Sequence, residues 1–176
     1  MEQVVVAAAV LLGGAVGLAV RWRLGFVTTV ESESMLPTLA PGKWLLTRRP
    51  GGLRPVRRGD IVVIRSTELG RVIVKRVVGL PEEHVVVAAG EVRVNGRSLP
   101  EPYVTRPGGR SGDFDVPVGH LLLLGDNRAR ASDSRSWRQP YLPTSALHGV
   151  VLSQLRRPAV ARRDRGSQPV DAARAG

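Results

Sequence analysis

The sequence predicts a protein whose body is mainly β-structure, and two observations support this prediction. Short runs of β-branched and other apolar residues recur between residues 24 and 155, separated by turns rich in Gly, Pro, Asn and Asp. No segment of this region repeats its apolar residues with the roughly 3.6-residue period of a helix. We therefore expect an all-β body built from many short strands.

The strand signals can be placed along the chain. A short β-leaning segment covers residues 24–30, and further strands are predicted at 43–47, 60–65, 71–78, 85–87, 91–94, 97–99, 120–124 and 146–155. The dipeptide Asn95-Gly96 is typical of a two-residue hairpin turn. Residues 100–118 are rich in Pro, Gly and charge, so we expect irregular chain there.

Composition excludes several kinds of chemistry. The 176 residues include no cysteine, which rules out disulfides, thiol catalysis and thiolate metal sites. His84, His120 and His148 lie far apart beside apolar runs, so we expect no metal site and no cofactor. The net charge of +11 would suit an anionic membrane surface or nucleic acid.

The two ends of the chain differ from its body. Val4 to Val20 is an unbroken apolar run near the lower length limit of a membrane-spanning helix, followed by Arg21, Trp22 and Arg23. A cleaved signal peptide is the alternative, but the positive segment that would precede its apolar run is missing. We therefore assign residues 1–23 to an uncleaved anchor with its flank. The Arg-rich residues 156–176 are expected to be a disordered tail.

Lys75 stands out because the chain otherwise uses Arg for its positive charges. Only Lys43 and Lys75 are lysines among the 26 basic residues. Alternation in a strand places Lys75 on one face with Ile73 and Val77, where lost hydration favours the neutral amine. A pKa lowered by about 2–3 units from roughly 10.4 would make Lys75 a usable base. Taken alone, Lys75 is better explained as a snorkelling lysine on an edge strand.

A serine that could use such a base lies in the segment 31–39. The Ser34 hydroxyl is a weak nucleophile by itself, and no histidine occupies a recognisable serine-protease context, which leaves a Ser-Lys dyad. The backbone N–H of Ser34 and the hydroxyl of Ser32 are candidate oxyanion donors. The alternative for Ser34 is an ordinary turn or capping serine.

The segment 125–135 places many polar residues directly after an apolar strand. Asp133 and Arg135 form the most favourable pair, and Arg76 or Arg128 are alternative partners for the acids. We interpret the segment as a brace for a site, with a solvated surface turn as an equally weighted alternative. The bracing candidates are Asp126, Arg128, Ser132, Asp133 and Arg135.

Together and in order, these segments resemble the type I signal peptidase family, which consists of membrane-bound Ser-Lys endopeptidases that remove signal peptides from exported proteins. The matching motifs are 34–39, 60–63, 75–81, 125–128 and 132–135. Each motif is weak alone, whereas the ordered combination is specific. The resemblance implies that Ser34 is the nucleophile, Lys75 the general base and Ser32 an oxyanion-hole residue.

The resemblance also implies substrate pockets and a domain plan. Shallow apolar pockets would accept small residues, typically Ala, at the first and third positions before the cut. They would be lined by Val30, Met35, Leu39, Ile73 and Val74. The catalytic domain would cover residues 24–155, as a β-rich core with a smaller β subdomain inserted at about 81–117.

Two positions depart from the family pattern. Ala131 occupies the place of a serine that usually helps to orient the lysine, so either Ser132 replaces it or Lys75 loses a partner. Glu82 stands where a glycine commonly follows Leu80-Pro81, so that turn is expected to differ.

The implied partners are precursors that carry signal peptides, together with membrane lipid, and no specific nucleic acid. We expect a monomer held in the cell membrane by one span, with the catalytic domain on the extracytoplasmic side. Arg21 and Arg23 oppose this orientation under the positive-inside rule. The alternatives are a peptidase specialised for one precursor, and an inactive Arg-rich membrane protein that binds anionic lipid or nucleic acid.

Overall fold

The computed structural model describes residues 13–14, 25–51 and 54–155. Within these ranges it contains no apolar helix of membrane-spanning length. The anchor predicted at Val4 to Val20 lies outside them except for two residues, and the predicted tail lies wholly outside them.

Residues 13–14 are helical, and the rest of the described chain is built from strands and two short 3-10 helices, Glu33–Met35 and Thr144–Ala146. The strands are β1 (Phe26–Thr29), β2 (Trp44–Arg48), β3 (Ile61–Ser66), β4 (Arg71–Gly79), β5 (His84–Ala88), β6 (Glu91–Val94), β7 (Arg97–Ser98), β8 (Gly112–Asp115), β9 (His120–Leu124), β10 (Tyr141–Pro143) and β11 (Leu147–Leu155). The predicted mainly β class is confirmed.

The strands form two sheets in which every pairing is antiparallel. The larger sheet has the order β1-β2-β11-β3-β4-β9-β10, and the smaller sheet has the order β7-β6-β5-β8. The smaller sheet therefore lies within the range 81–117 that was predicted as an inserted subdomain. Whether it forms a separate unit stays a prediction.

Alternation along β4 and β9 places two apolar clusters on opposite sides of these strands. Val77 packs with Leu121 and Leu123 in a cluster of the larger sheet. Val78 and Leu122 belong instead to the cluster under the smaller sheet. Because successive strand residues point to opposite faces, β4 and β9 contribute to both cores.

The sequence predicted most strands and missed two. Asn95 and Gly96 have φ values of +49° and +77°, which fits the predicted hairpin turn between β6 and β7. The expectation of irregular chain over residues 100–118 was wrong for β8, where Phe114 is buried between exposed acidic neighbours. The edge strand β10 was also missed, because its three residues are too few to show an alternating pattern.

The turn after β4 contains Glu82, where a glycine is common in the family and a different turn was expected. Glu82 has a φ of +65°, in the left-handed region that favours glycine. The turn therefore adopts a glycine-like backbone although the residue is glutamate. The Glu82 backbone N–H donates to the carbonyl of Val116 at 2.8 Å, which holds this conformation.

We predict that Val78→Ala costs about 2–3 kcal/mol of unfolding free energy, because Val78 is fully buried between the two sheets. The control is Val118→Ala, which removes the same methyl groups from a side chain that is 73% exposed. Urea unfolding of the detergent-solubilised protein measures both. Equal losses for the two variants would contradict the assigned core.

Candidate active site

Ser34 and Lys75 come from distant parts of the chain and meet at the larger sheet. Ser34 lies in the 3-10 helix after β1, and Lys75 lies near the middle of β4. The Lys75 Nζ is 2.7 Å from the Ser34 Oγ and donates to the Val74 carbonyl at 3.1 Å. This distance is within direct hydrogen-bond reach of a nucleophile and its base.

The Lys75 amine is buried among apolar side chains, as its position in the strand predicted. Lys75 is 3% exposed, and Ile73 and Val77 on the same face are buried. Val62 of β3, which is fully buried, lies opposite Lys75 in the register. The snorkelling alternative is therefore wrong.

Burial lowers the pKa of Lys75 to about 8, because desolvation penalises the ammonium form. The positive charge of Arg71 lowers this pKa further, whereas Asp133 and Asp126 oppose the shift. With a pKa near 8, about one Lys75 side chain in ten is neutral at pH 7.

The loop that carries Ser34 is held from the interior and from the segment 125–127. Met35 is buried in a cluster with Val30, Leu39 and Leu45. The backbone N–H of Asn127 donates to the Ser34 carbonyl at 3.0 Å, and the Asn127 side-chain amide donates to the Glu33 carbonyl at 3.1 Å. These contacts fix the backbone around Ser34.

A glycine is required at position 125 because the segment after β9 approaches the Ser34 backbone closely there. A Cβ atom at this position would lie 2.5 Å from the Ser34 carbonyl oxygen and 2.4 Å from the Ala131 Cβ. Only glycine therefore allows the segment after β9 to approach the Ser34 loop so closely.

Ser32 lies beside Ser34. Its hydroxyl is 3.1 Å from the Ser34 Oγ and is exposed to solvent. A hydroxyl at this place could donate to an oxyanion formed by attack of Ser34.

Two of the predicted bracing acids form buried ion pairs. Asp126 accepts hydrogen bonds from Arg76 at 2.8 and 2.6 Å, and from the Thr38 hydroxyl at 2.5 Å. Asp133 pairs with Arg135 through two contacts of 2.8 Å and accepts the Gly125 N–H at 2.9 Å. The structure therefore favours the brace over the solvated turn, although its role in activity stays a prediction.

Arg128 joins the brace to the segment after β7. Its guanidinium is almost fully buried and donates to Glu101 at 2.8 and 2.6 Å, and to the Gly125 carbonyl at 2.9 Å. The Arg76 guanidinium lies 3.9 Å from the centre of the Tyr103 ring. Residues 101–103 thus support both arginines.

Ser132 does not take the place left open by Ala131. Its hydroxyl accepts a hydrogen bond from the Trp137 indole N–H at 3.2 Å, while Lys75 is bonded to Ser34 and the Val74 carbonyl. Of the two outcomes considered from the sequence, the geometry matches the loss of one lysine partner.

Two grooves meet at Ser34. The first, which we call the apolar groove, is lined mainly by Val30, Met35, Val72, Ile73 and Val74 together with Thr28 and Thr29, and the charged residues Glu31 and Arg71 lie at it as well. The second, the charged groove, is lined by Glu33, Leu69, Arg71, Lys75, Arg130 and Ser132. Four of the five predicted substrate-binding residues line the apolar groove. The fifth, Leu39, is 1% exposed in the cluster beneath it.

Several contributors to the site were not found from the sequence. They are Thr38, Arg71, Glu101, Tyr103, Asn127 and Arg130. Asn127 and Arg130 lie in a segment that was already singled out, so position alone pointed to them. The roles of Glu101 and Tyr103 depend on contacts with residues more than 25 positions away, for which local pattern gives no signal.

Comparison with known proteins agrees with this geometry. A family model described as signal peptidase, peptidase S26 matches residues 2–155. The chain belongs to this family. The resemblance seen in the sequence is thereby confirmed.

Individual relatives support the assignment. A signal peptidase I of Leptolyngbya laminosa is 39% identical over 153 residues, covering 78% of this chain and 74% of the relative. A signal peptidase I of Bacillus caldolyticus is 37% identical over 123 residues, covering 60% and 66%. The crystal structure of a signal peptidase I from Enterococcus faecalis V583 superposes with a TM-score of 0.52 at 27% identity, covering 57% of this chain and 100% of that one.

We predict that the stability difference between wild type and Lys75→Met depends on pH. Because the pKa of Lys75 is lowered in the folded state, the unfolded chain binds more protons between about pH 8 and 10.5. Relative to Lys75→Met, the free energy of unfolding of wild type is therefore expected to fall by on the order of 3 kcal/mol as the pH falls through that window. Urea unfolding at pH 7 and at pH 10.5 measures it.

The control is Lys43→Met, which removes a lysine from an exposed turn. This replacement is expected to leave the pH dependence of stability unchanged. A Lys75→Met variant whose stability tracks that of wild type across the window would show that the amine is not buried in solution.

Proposed function

We propose that this chain is a membrane-anchored serine endopeptidase that removes N-terminal signal peptides from exported precursors. The observation that carries the proposal is the 2.7 Å contact between a buried lysine amine and the Ser34 hydroxyl. Membership of the signal peptidase family supplies the substrate class.

In this proposal the neutral Lys75 amine accepts the Ser34 proton as the Ser34 oxygen attacks the carbonyl carbon of the scissile bond. The Ser32 hydroxyl and the Ser34 N–H stabilise the oxyanion of the tetrahedral intermediate. The Lys75 ammonium then protonates the leaving amine. Lys75 finally takes a proton from the water that attacks the acyl-enzyme, and returns it to the Ser34 oxygen as the acyl bond breaks and the carboxylic acid product leaves.

The apolar groove is proposed to bind the residues that precede the cut. Branched and sulfur-containing side chains make up much of its lining, and Ser34 is one of the lining residues. A shallow apolar wall accepts small side chains and rejects large ones sterically, so small residues are expected at the first and third positions before the cut.

We expect Ser34→Ala and Lys75→Ala to lower cleavage of an exported precursor by about 10³-fold or more, since each removes one member of the dyad. Lys75→Arg is expected to fail as well, because arginine retains its proton. The wild-type kcat/KM is expected to rise with pH through a midpoint near 8, the pKa of Lys75 in the free enzyme.

Ser98→Ala, at an exposed position of β7 in the smaller sheet, is the matched control and is expected to retain wild-type activity. Purified, detergent-solubilised protein is assayed by the appearance of mature product on gels. Cleavage by Ser34→Ala or Lys75→Ala at the wild-type rate would disprove the dyad.

We further propose a single span with the catalytic domain outside the cytoplasm, because the substrates are exported. Protease added to intact spheroplasts is expected to digest the region after residue 23. Digestion only after the membrane is lysed would place this region in the cytoplasm, in accord with Arg21 and Arg23 and against the proposed function.

A further inference from the structure

The charged groove holds two arginines that neither transfer a proton nor bind the oxyanion in the proposed chemistry. Arg71 and Arg130 line it together with Lys75, and Glu33 is the acid among its lining residues. Cationic groups therefore outnumber acidic ones on this wall, even when Lys75 is neutral. A groove of this charge favours anionic partners.

The position of Lys75 indicates which part of the substrate enters this groove. The proton taken from Ser34 must be returned to the leaving nitrogen, so that nitrogen lies on the Lys75 side of Ser34. Ser34 lines both grooves, whereas Lys75 lines the charged groove and not the apolar one. The residues that follow the cut therefore run along the charged groove.

Arg130 is available to a substrate carboxylate. Its guanidinium lies 3.4 Å from the Glu33 carboxylate, and the two side chains are 69% and 57% exposed. An exposed pair of this kind is weak and exchanges readily. A carboxylate from the substrate can therefore share or replace Glu33 as the partner of Arg130.

Arg71 is less suited to this role. It lies on the same face of β4 as Lys75, and its charge helps to keep the amine neutral. A carboxylate bound to Arg71 would cancel that effect and weaken the base. A carboxylate bound to Arg130 would not weaken the base in this way, because the charges that shift the pKa of Lys75 are those of Asp133, Arg71 and Asp126.

We propose that Arg130 makes this enzyme favour precursors that carry Asp or Glu within the first three residues after the cut. The inference rests on the proposed function, since it assigns a specificity to the same cleavage site. In this arrangement the Glu33 carboxylate competes with the substrate carboxylate for the Arg130 guanidinium.

The test uses precursor peptides that are identical except for Asp or Asn placed at the first, second or third position after the cut. The readout is the ratio of kcat/KM for the Asp peptide to that for its Asn partner, measured with the full-length protein in detergent at low salt. Wild type is expected to give a ratio of about two to five at one or more positions, as for an exposed ion pair. The ratio is expected to fall toward one in 0.5 M salt, because salt screens exposed charges.

Three variants make the assignment specific. Arg130→Gln is expected to bring the ratio to one, and Glu33→Gln to raise it above the wild-type value. Arg93→Gln removes an exposed arginine from the smaller sheet and is expected to leave the ratio unchanged.

A wild-type ratio of one at all three positions overturns the inference, as does a preference for Asp that persists in Arg130→Gln. Either result leaves the proposed peptidase intact, because the Asn peptides are still cut. Failure of wild type to cut any peptide overturns the proposed function itself, and the inference with it.

Discussion

The burial of the Lys75 side-chain amine is the constraint on which the rest of the structure depends. Lys75 lies at the centre of β4, opposite Val62 and beside Ile73, so its ammonium form loses hydration that the fold does not fully restore. The lowered pKa corresponds to a folded state that is less stable at neutral pH by on the order of 3 kcal/mol. A typical domain is stable by only about 5–15 kcal/mol, so this is a substantial cost. The same desolvation would supply the base that the proposed function assigns to Lys75, which a solvated lysine would not provide.

The polar groups near Lys75 hold the Ser34 loop in place and still leave the pKa of Lys75 lowered. The Ser34 loop needs a polar anchor, and the segment after β9 provides one that contains Asp126 and Asp133. Both acids act to restore the charged form of Lys75. Each is held in a two-point ion pair, Asp126 with Arg76 and Asp133 with Arg135, which partly cancels its field at the amine. The segment can thus fix Ser34 without fully reversing the shift in the pKa of Lys75.

Local sequence pattern predicted the features that depend on neighbouring residues. Strand alternation placed Lys75 on the face of Ile73 and Val77, and the spacing of Asp133 and Arg135 indicated their pair. It could not predict contacts that depend on the assembled fold, such as the stacking of Arg76 on Tyr103 or the pair between Arg128 and Glu101. The strands β8 and β10 were not predicted for a related reason. Each is specified by pairing with a neighbouring strand rather than by its own few residues.

The alanine at position 131 can be reconciled with an active dyad by counting hydrogen bonds. A neutral lysine amine has one lone pair and two N–H groups. In the attacking form the lone pair must face the Ser34 hydroxyl, and the carbonyl of Val74 accepts one N–H. These two contacts already define the direction of the lone pair, so a serine hydroxyl at position 131 would add a third constraint rather than the first. Lys75 also lines the charged groove, where the leaving amine of the substrate is expected. The methyl group of Ala131 instead packs against Gly125, at the point where the segment after β9 touches the Ser34 backbone.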